Sequence, residues 1–426
     1  MKLKAIVFFV VLMVCCLVGT SACLSKDKNE NDGILDYVLL DDNTYQVLKI
    51  NEEYNYDNKV ETIIIPEKFK GVKVTAIGPN AFKEHKYLKS VTIGTEILSI
   101  GDGAFYNCEV LETVDMSESV QQIEGGAFRG CKSLTTIKLP SQIEQIANYT
   151  FCDCYNLNNL SLHDGITLIG DGAFYNCGSL TGIKVPDTVK SIGKTAFYGC
   201  KNLESVNVPD GVPEIGDSTF ANCLKLTGIS IPDSVMSIGE YAFYGCRNLA
   251  QVNISHNVTE IKRSTFYECE SLQTLALPDS VTQIGYCAFF KCSALTNLYV
   301  GDLVNSVGTN AFAYCSNIAE AVIPAIVLPY ISQYAYLQNV KITCGEISSF
   351  ACSRCNSLVK LTIGEKVTKI ENNAFSGCKN LTSVLFENPD GWKTNQNEIS
   401  VDDLKDESIA ARYLIDTYCK QDWYKI

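Results

Sequence analysis

The chain has 426 residues, 46% of them hydrophobic and 10% aromatic, which is ample apolar material for a buried core. Its 35 basic and 48 acidic side chains give a formal charge of −13 at pH 7, without the basic footprint of a nucleic-acid-binding protein. Length alone would suggest two or three globular domains, but a fixed internal repeat overrides that count.

Residues 1–22 are expected to be a signal peptide. Lys2 and Lys4 precede an apolar run from Ala5 to Val18, then Gly19, Thr20, Ser21 and Ala22 stand before Cys23. The run is too short and wrongly flanked for a spanning helix. A cysteine directly after small residues is similar to the bacterial lipobox, which implies lipidation at Cys23; Thr20 stands where a leucine is usual, and an ordinary secretory signal is the alternative. Residues 23–32, charged from Lys26 to Asp32, are expected to form a tether. Cleavage removes two lysines and no acids, taking the formal charge from −13 to −15.

Residues 33–81 fit no repeat frame and are expected to cap the leading end. Tyr37–Leu40 and Tyr45–Leu48 flank Asp41, Asp42 and Asn43, the pattern of a β-hairpin. Phe82 follows Pro66 by 16 residues, against the 11 between Pro140 and Phe151, so the first coil is enlarged around Gly71. A stack of repeats needs its first apolar face covered.

From Phe82 to Phe312 eleven phenylalanines recur every 23 residues without a slip. Counted from each Phe, aliphatic residues return at +6, +9 and +11, as Leu272, Leu275 and Leu277. The alternation at +9 and +11 is strand-like. A second extended edge falls at −8 and −5, as Val235 and Ile238. The short Ala-Phe segment between them predicts a helical turn or 3₁₀ piece. Glycines at −4, among them Gly101, Gly193 and Gly239, mark a corner expected to need positive φ. Prolines at +12, such as Pro186 and Pro278, end the strand. Twelve of the 20 cysteines sit at +3, from Cys108 to Cys315 and then at Cys355 and Cys378. Stacked about 4.8 Å apart and pointing the same way, they would be too far apart to pair and are expected to be a ladder of reduced thiols acting as small hydrophobes. Cys352 and Cys355 have CxxC spacing, but the frame itself accounts for their positions.

The phrase carried by Ile192, Gly193, Ala196, Phe197, Cys200, Leu203, Val206, Val208 and Pro209 resembles the BspA-like leucine-rich repeat, over roughly residues 60 to 386. The resemblance implies a β-rich solenoid: a right-handed stack of about 14 coils, mostly of 23 residues, spanning residues 82–386 between an N-terminal hairpin cap and a C-terminal helical cap. It further implies an exposed bacterial envelope protein that adheres to host matrix proteins, mucosa or other cells. The motif residues are structural, so no binding residue is carried over.

Outward positions are where a ligand would meet the stack. On the strand face the +10 row is polar early, with Asn207 and Asn253, and turns apolar at Ala276, Tyr299 and Val322. A second row at +1 holds Tyr106, Tyr175, Tyr198, Tyr244, Tyr267 and Phe290, which either pack along the coil edge or grip a partner. After Phe312 the steps shorten to 19 at Ile331 and 21 at Cys352 before Phe375 restores 23. These irregular coils, 313–352, mark either a binding site or an architectural joint, and they interrupt the cysteine ladder at Tyr334. Residues 387–426 are expected to close the stack, with Trp392 over the end and an amphipathic helix capped by Asp406.

His85, His163 and His256 fall at frame positions on separate coils, and no catalytic motif sits in a suitable context, so the chain is expected not to be an enzyme and to use no cofactor or metal. The expected role is an exported, lipid-anchored binding protein whose face meets a protein partner, without nucleic acid and touching the membrane only through its anchor. Glycan capture or a passive envelope spacer are the alternatives.

Overall fold

A computed structural model describes residues 30–54 and 59–426. The expected signal peptide, Cys23 and the start of the expected tether lie outside the described residues. The last part of that tether is a correction: Glu30–Asn31 pairs antiparallel with Leu35–Leu39, and Asp32 accepts from the Ile34 and Leu35 amides and from the Tyr37 hydroxyl.

The array is a β-solenoid built from two parallel ladders, each advancing by 23 residues. On the strand face Gly228, Ile229 and Ser230 pair with Gln251, Val252 and Asn253. On the second edge Leu168 and Ile169 pair with Ser191 and Ile192. Strands are two to four residues long through most of the array because each coil turns a corner soon after its inward aliphatic residue. Alternation then buries Leu275 and Leu277 and leaves Thr274 and Ala276 outside.

The eleven repeating phenylalanines form the inner spine. Ten successive ring pairs stack with centroids 5.0–5.8 Å apart and planes within 15°. Each is buried, and the backbone carbonyls from Phe82 to Phe289 each carry two bonds. The Phe197 oxygen accepts the amide of Cys200 in its own coil and the thiol of Cys223 in the next, at 3.2 Å in both cases. The ladder cysteine is therefore a weak donor as well as a small hydrophobe, satisfying a second lone pair that a Val or Ala would leave empty.

The Ala-Phe segment is not the expected helical turn. Amides at −2, 0 and +2 donate to the next coil, as Thr195 to Asp217, Phe197 to Thr219 and Gly199 to Ala221, while the alternate amides close i→i−3 turns within the coil. Both sets are satisfied because −2 and +2 adopt left-handed conformations in coil after coil; Thr195 has φ 53° and Gly199 φ 70°. A 3₁₀ segment would turn every amide inward and leave the stack unbonded.

The glycines at −4 need correction too, for none of them has positive φ. They are required by close approach: a Cβ at Gly193 would lie 2.4 Å from the Asp171 nitrogen, and one at Gly239 would lie 2.5 Å from that of Asp217. The strained sites are at −2. Thr195 is β-branched in a region that disfavours side chains, whereas Asn80, Asn310 and Asn373 occupy the same slot with φ 57–59°. Thr195→Asn is expected to raise stability by about 1 kcal/mol, read as a higher urea midpoint at unchanged slope; an unchanged or lower midpoint would refute the strain.

At the leading end Leu35–Leu39 and Tyr45–Ile50 form the antiparallel hairpin, and the latter strand joins the second edge through Val72–Ile77. The extra residues of the first coil make a small hairpin in which Lys68–Phe69 pairs with Val72–Ile77 across Gly71. The enclosed core stacks Tyr37 on Phe69 at 4.2 Å. At the far end Asp406 caps the Glu407–Arg412 helix by accepting from Ser408 and Ile409. The sequence reading missed the last element: Trp423–Lys425 pairs antiparallel with both Ile370 and Trp392–Thr394, burying Trp392 and Trp423.

Across the irregular coils the strand face is continuous. Glu320–Ile323 pairs in parallel with Asn339–Ile342, which pairs with Lys360–Ile363, at offsets of 19 and 21. The missing residues come from the rest of the coil, where Ala325–Val327 and Leu328–Ile331 are helical and bury Leu328 and Ile331. Tyr334 does interrupt the ladder, lying half-buried against Tyr314 at 5.6 Å. One cysteine expectation fails here: Cys352 and Cys355 form a disulfide. Neighbouring coils cannot bring two +3 thiols together, but positions 0 and +3 of one coil face each other across a turn with Cα atoms 5.5 Å apart. The other eleven +3 cysteines are free and buried.

Candidate binding faces

The +1 aromatic row is half-buried, and its ring faces are largely occupied by one another. Tyr175 stacks on Tyr198 at 4.7 Å, and Tyr244, Tyr267 and Phe290 stack in turn at 4.9 and 4.7 Å. Such rings offer edges rather than faces to a sugar, and the packing role accounts for them. Tyr106 differs. It stands beside Arg129, whose guanidinium lies 5.6 Å from the Tyr106 ring centre and the same distance from that of Tyr149.

On the strand face Asn207 is exposed, but its amide is committed: it accepts from Val185 N and donates to Val185 O, both at 2.8 Å. Asn253 is exposed and contributes its backbone carbonyl to Ile231. Farther along, Tyr299 is 43% exposed and its hydroxyl donates to Asp279 at 3.1 Å. Tyr299 and half-buried Val322 line two adjoining depressions of about 520 and 440 Å³. The first extends over Ala276 to Lys341 and Lys360, and the second over Leu303, Asp302 and Lys366. Leu303 is 59% exposed, and Lys366 bonds Asp302 at 2.8 Å. The Asp302 carboxyl is held below the usual range chiefly by that lysine hydrogen bond.

Lys341, Lys360 and Lys366 were not found by sequence reasoning because the 23-residue count fails before them. Had the rows been continued by steps of 19 and 21, Lys341 would have fallen in the row of Tyr299 and Val322, and Lys360 in that of Asn297 and Glu320.

The histidines are dispersed. His85 is buried, accepts from the Leu88 amide at Nδ1, and burial lowers its pKa. His163 Nδ1 accepts from Gly165 and its Nε2 bonds Pro140 O at 3.0 Å, while His256 lies by Asp233. No group of three metal-capable side chains occurs among the described residues.

Comparison with known proteins agrees with this architecture. No curated protein matches the chain. A leucine-rich repeat protein from Bacteroides ovatus is 24% identical with a TM-score of 0.59, over 84% of this chain and 88% of that one. A leucine rich cell surface protein from Faecalibacterium prausnitzii is 27% identical over 70% of this chain and 95% of its own, with a TM-score of 0.46. The family model described as BspA type leucine rich repeat region (6 copies) matches residues 48–180, 167–293, 213–343 and 345–392. With most of its length covered by that model and its coils stacked as described, the chain belongs to the BspA-type leucine-rich repeat family.

Proposed function

We propose that this chain is an exported surface protein that binds a protein partner through the strand face around Tyr299. The observation that carries this reading is the Tyr299 surface: an exposed aromatic ring and Leu303 beside paired charges, on a sheet that runs unbroken through the irregular coils. An apolar anchor within a polar rim is the composition of an energetic centre in protein interfaces. Family membership supports a binding role, and the lipobox-like junction at Cys23 supports lipid anchoring, testable by fatty-acid labelling that Cys23→Ser abolishes.

Binding of the full chain to immobilised extracellular-matrix proteins is expected, with Tyr299→Ala weakening it at least tenfold and Leu303→Ala acting in the same direction. Circular dichroism should show both variants folded, since each side chain is exposed. Unchanged binding in Tyr299→Ala would move the interface elsewhere. Binding to a glycan panel alone would favour capture of carbohydrate, and silence on both panels a passive spacer.

A further inference from the structure

We infer that the turn edge of the first four regular coils carries a second site, for an acidic saccharide. Lys83 and Arg129 converge there on one ring, with the Lys83 ammonium 5.3 Å and the Arg129 guanidinium 5.6 Å from the centre of Tyr106. Neither cation forms an ion pair among the described residues, whereas most exposed lysines around them, such as Lys73, Lys89 and Lys132, are neutralised by glutamates. Tyr149 closes the other side of the guanidinium at 5.6 Å, so Arg129 is held between two rings in a fixed orientation.

These side chains line a depression of about 540 Å³ whose floor is Gly103, Gly125 and Gly126, which project nothing into it. Asp102 is the one carboxylate in its lining, leaving the site with a net +1 in a chain of net −13. Asn80 and Asn148 add amides to the wall. Asn148 accepts from the Asp171 amide through its oxygen and keeps its NH2 as a donor for a hydroxyl.

The main chain of the floor argues for a saccharide over a peptide. Asn80 N, Gly103 N and Gly126 N already donate to Asp102, Gly125 and Asn148 carbonyls, so no strand edge is open to an extended peptide. A ligand must be recognised by its charge, by hydroxyls and by contact with aromatic surface, which a sugar bearing a carboxylate or sulfate supplies. The site lies on a different edge of the coil from Tyr299 and stands independently of the role proposed for it.

The test is titration calorimetry of the full chain at low salt with four probes: trigalacturonate for carboxylates, a heparin-derived tetrasaccharide for sulfates, maltotriose as a neutral saccharide, and hexaglutamate. At least one acidic saccharide is expected to bind, more weakly as salt rises, with maltotriose and hexaglutamate at least tenfold weaker. Arg129→Gln and Lys83→Gln are each expected to lose tenfold or more. Arg263→Gln, at a guanidinium held between Tyr241 and Tyr286, is expected to leave the saccharide affinity unchanged. Lys83 is exposed, so its variant decides the matter if Arg129→Gln does not fold. Absence of binding by both acidic saccharides, equal binding by hexaglutamate, or full affinity in Lys83→Gln would overturn the assignment.

Discussion

Replacing Phe220 with alanine is expected to destabilise the middle of the array by about 3–5 kcal/mol, the range for deleting a buried phenyl ring. Phe220 is fully buried and stacks on Phe197 and Phe243, at 5.5 Å on each side. Neither neighbour can close the gap, because each is itself fixed by the next ring and by a backbone amide bonded to the following coil. In a stack whose coils contact only their neighbours, a weak coil uncouples the two halves. Urea unfolding of the variant should therefore split into two transitions, with early proteolytic cleavage near Phe220. Phe220→Leu, which keeps most of the volume, should cost less and remain a single transition. A loss below about 1 kcal/mol in the alanine variant would mean that the spine repacks freely and that the strand ladders, rather than the rings, hold the coils together.

The spine was legible because a residue that must meet its own copy every coil cannot drift in the sequence. The same holds for the aliphatic positions +6, +9 and +11, whose inward direction follows from alternation alone. The backbone between them was not legible. Glycine at −4 suggested a special φ, yet the constraint there comes from the preceding coil's main chain against Gly193 and Gly239. The left-handed residues are at −2 and +2, where Asn and Gly recur, as Asn80, Gly103, Asn107 and Gly199, but Thr195, Tyr241 and Cys287 stand in the same slots and dilute the signal. Sequence pattern reports buried side chains strictly; a conformation imposed by hydrogen bonding between coils leaves only a loose preference for Asn and Gly.

The candidate faces divide in the same manner. Tyr299 and Val322 were visible as the apolar end of one row, while Lys341 and Lys360 were hidden by the shortened coils. Tyr106 was visible only as one member of a row, since its partner Arg129 occupies the same +1 slot one coil on and Tyr149 the −2 slot after that. A row read for aromatic residues alone passes over Lys83 and Arg129 in its own +1 slot, and the contact of Arg129 with Tyr149 joins unlike slots, which a count made slot by slot does not reach. Cys352 and Cys355 were misjudged for a related reason, because distances between coils were considered and the turn within one coil was not.

Alkaline pH is expected to unfold the chain steeply, and the cause is the cysteine ladder. Burial pushes the thiols of Cys108, Cys200 and Cys246 up to about 12, and those of Cys131, Cys177, Cys223 and Cys269 well above the ordinary range. An unfolded cysteine loses its proton near 8.5. Between those values the folded chain keeps protons that the unfolded chain has released, so stability falls as pH rises. The ladder's contribution is complete below pH ~8.5 and disappears progressively toward pH ~12. Each thiol removes about 1.4 kcal/mol per pH unit in that window, so three alone would remove roughly 6 kcal/mol by pH ~10. That is comparable with the whole stability of many domains. Urea midpoints measured under reductant at pH 7.5, 8.5, 9.5 and 10 should hold steady at first and then drop. Cys200→Ala should lower stability at neutral pH, through the lost bond to Phe174 O, while reducing the alkaline slope by one proton. A midpoint that stays flat from pH 8.5 to 10 would mean that the ladder opens to solvent in the folded state, and the thiols could no longer be counted as a buried core.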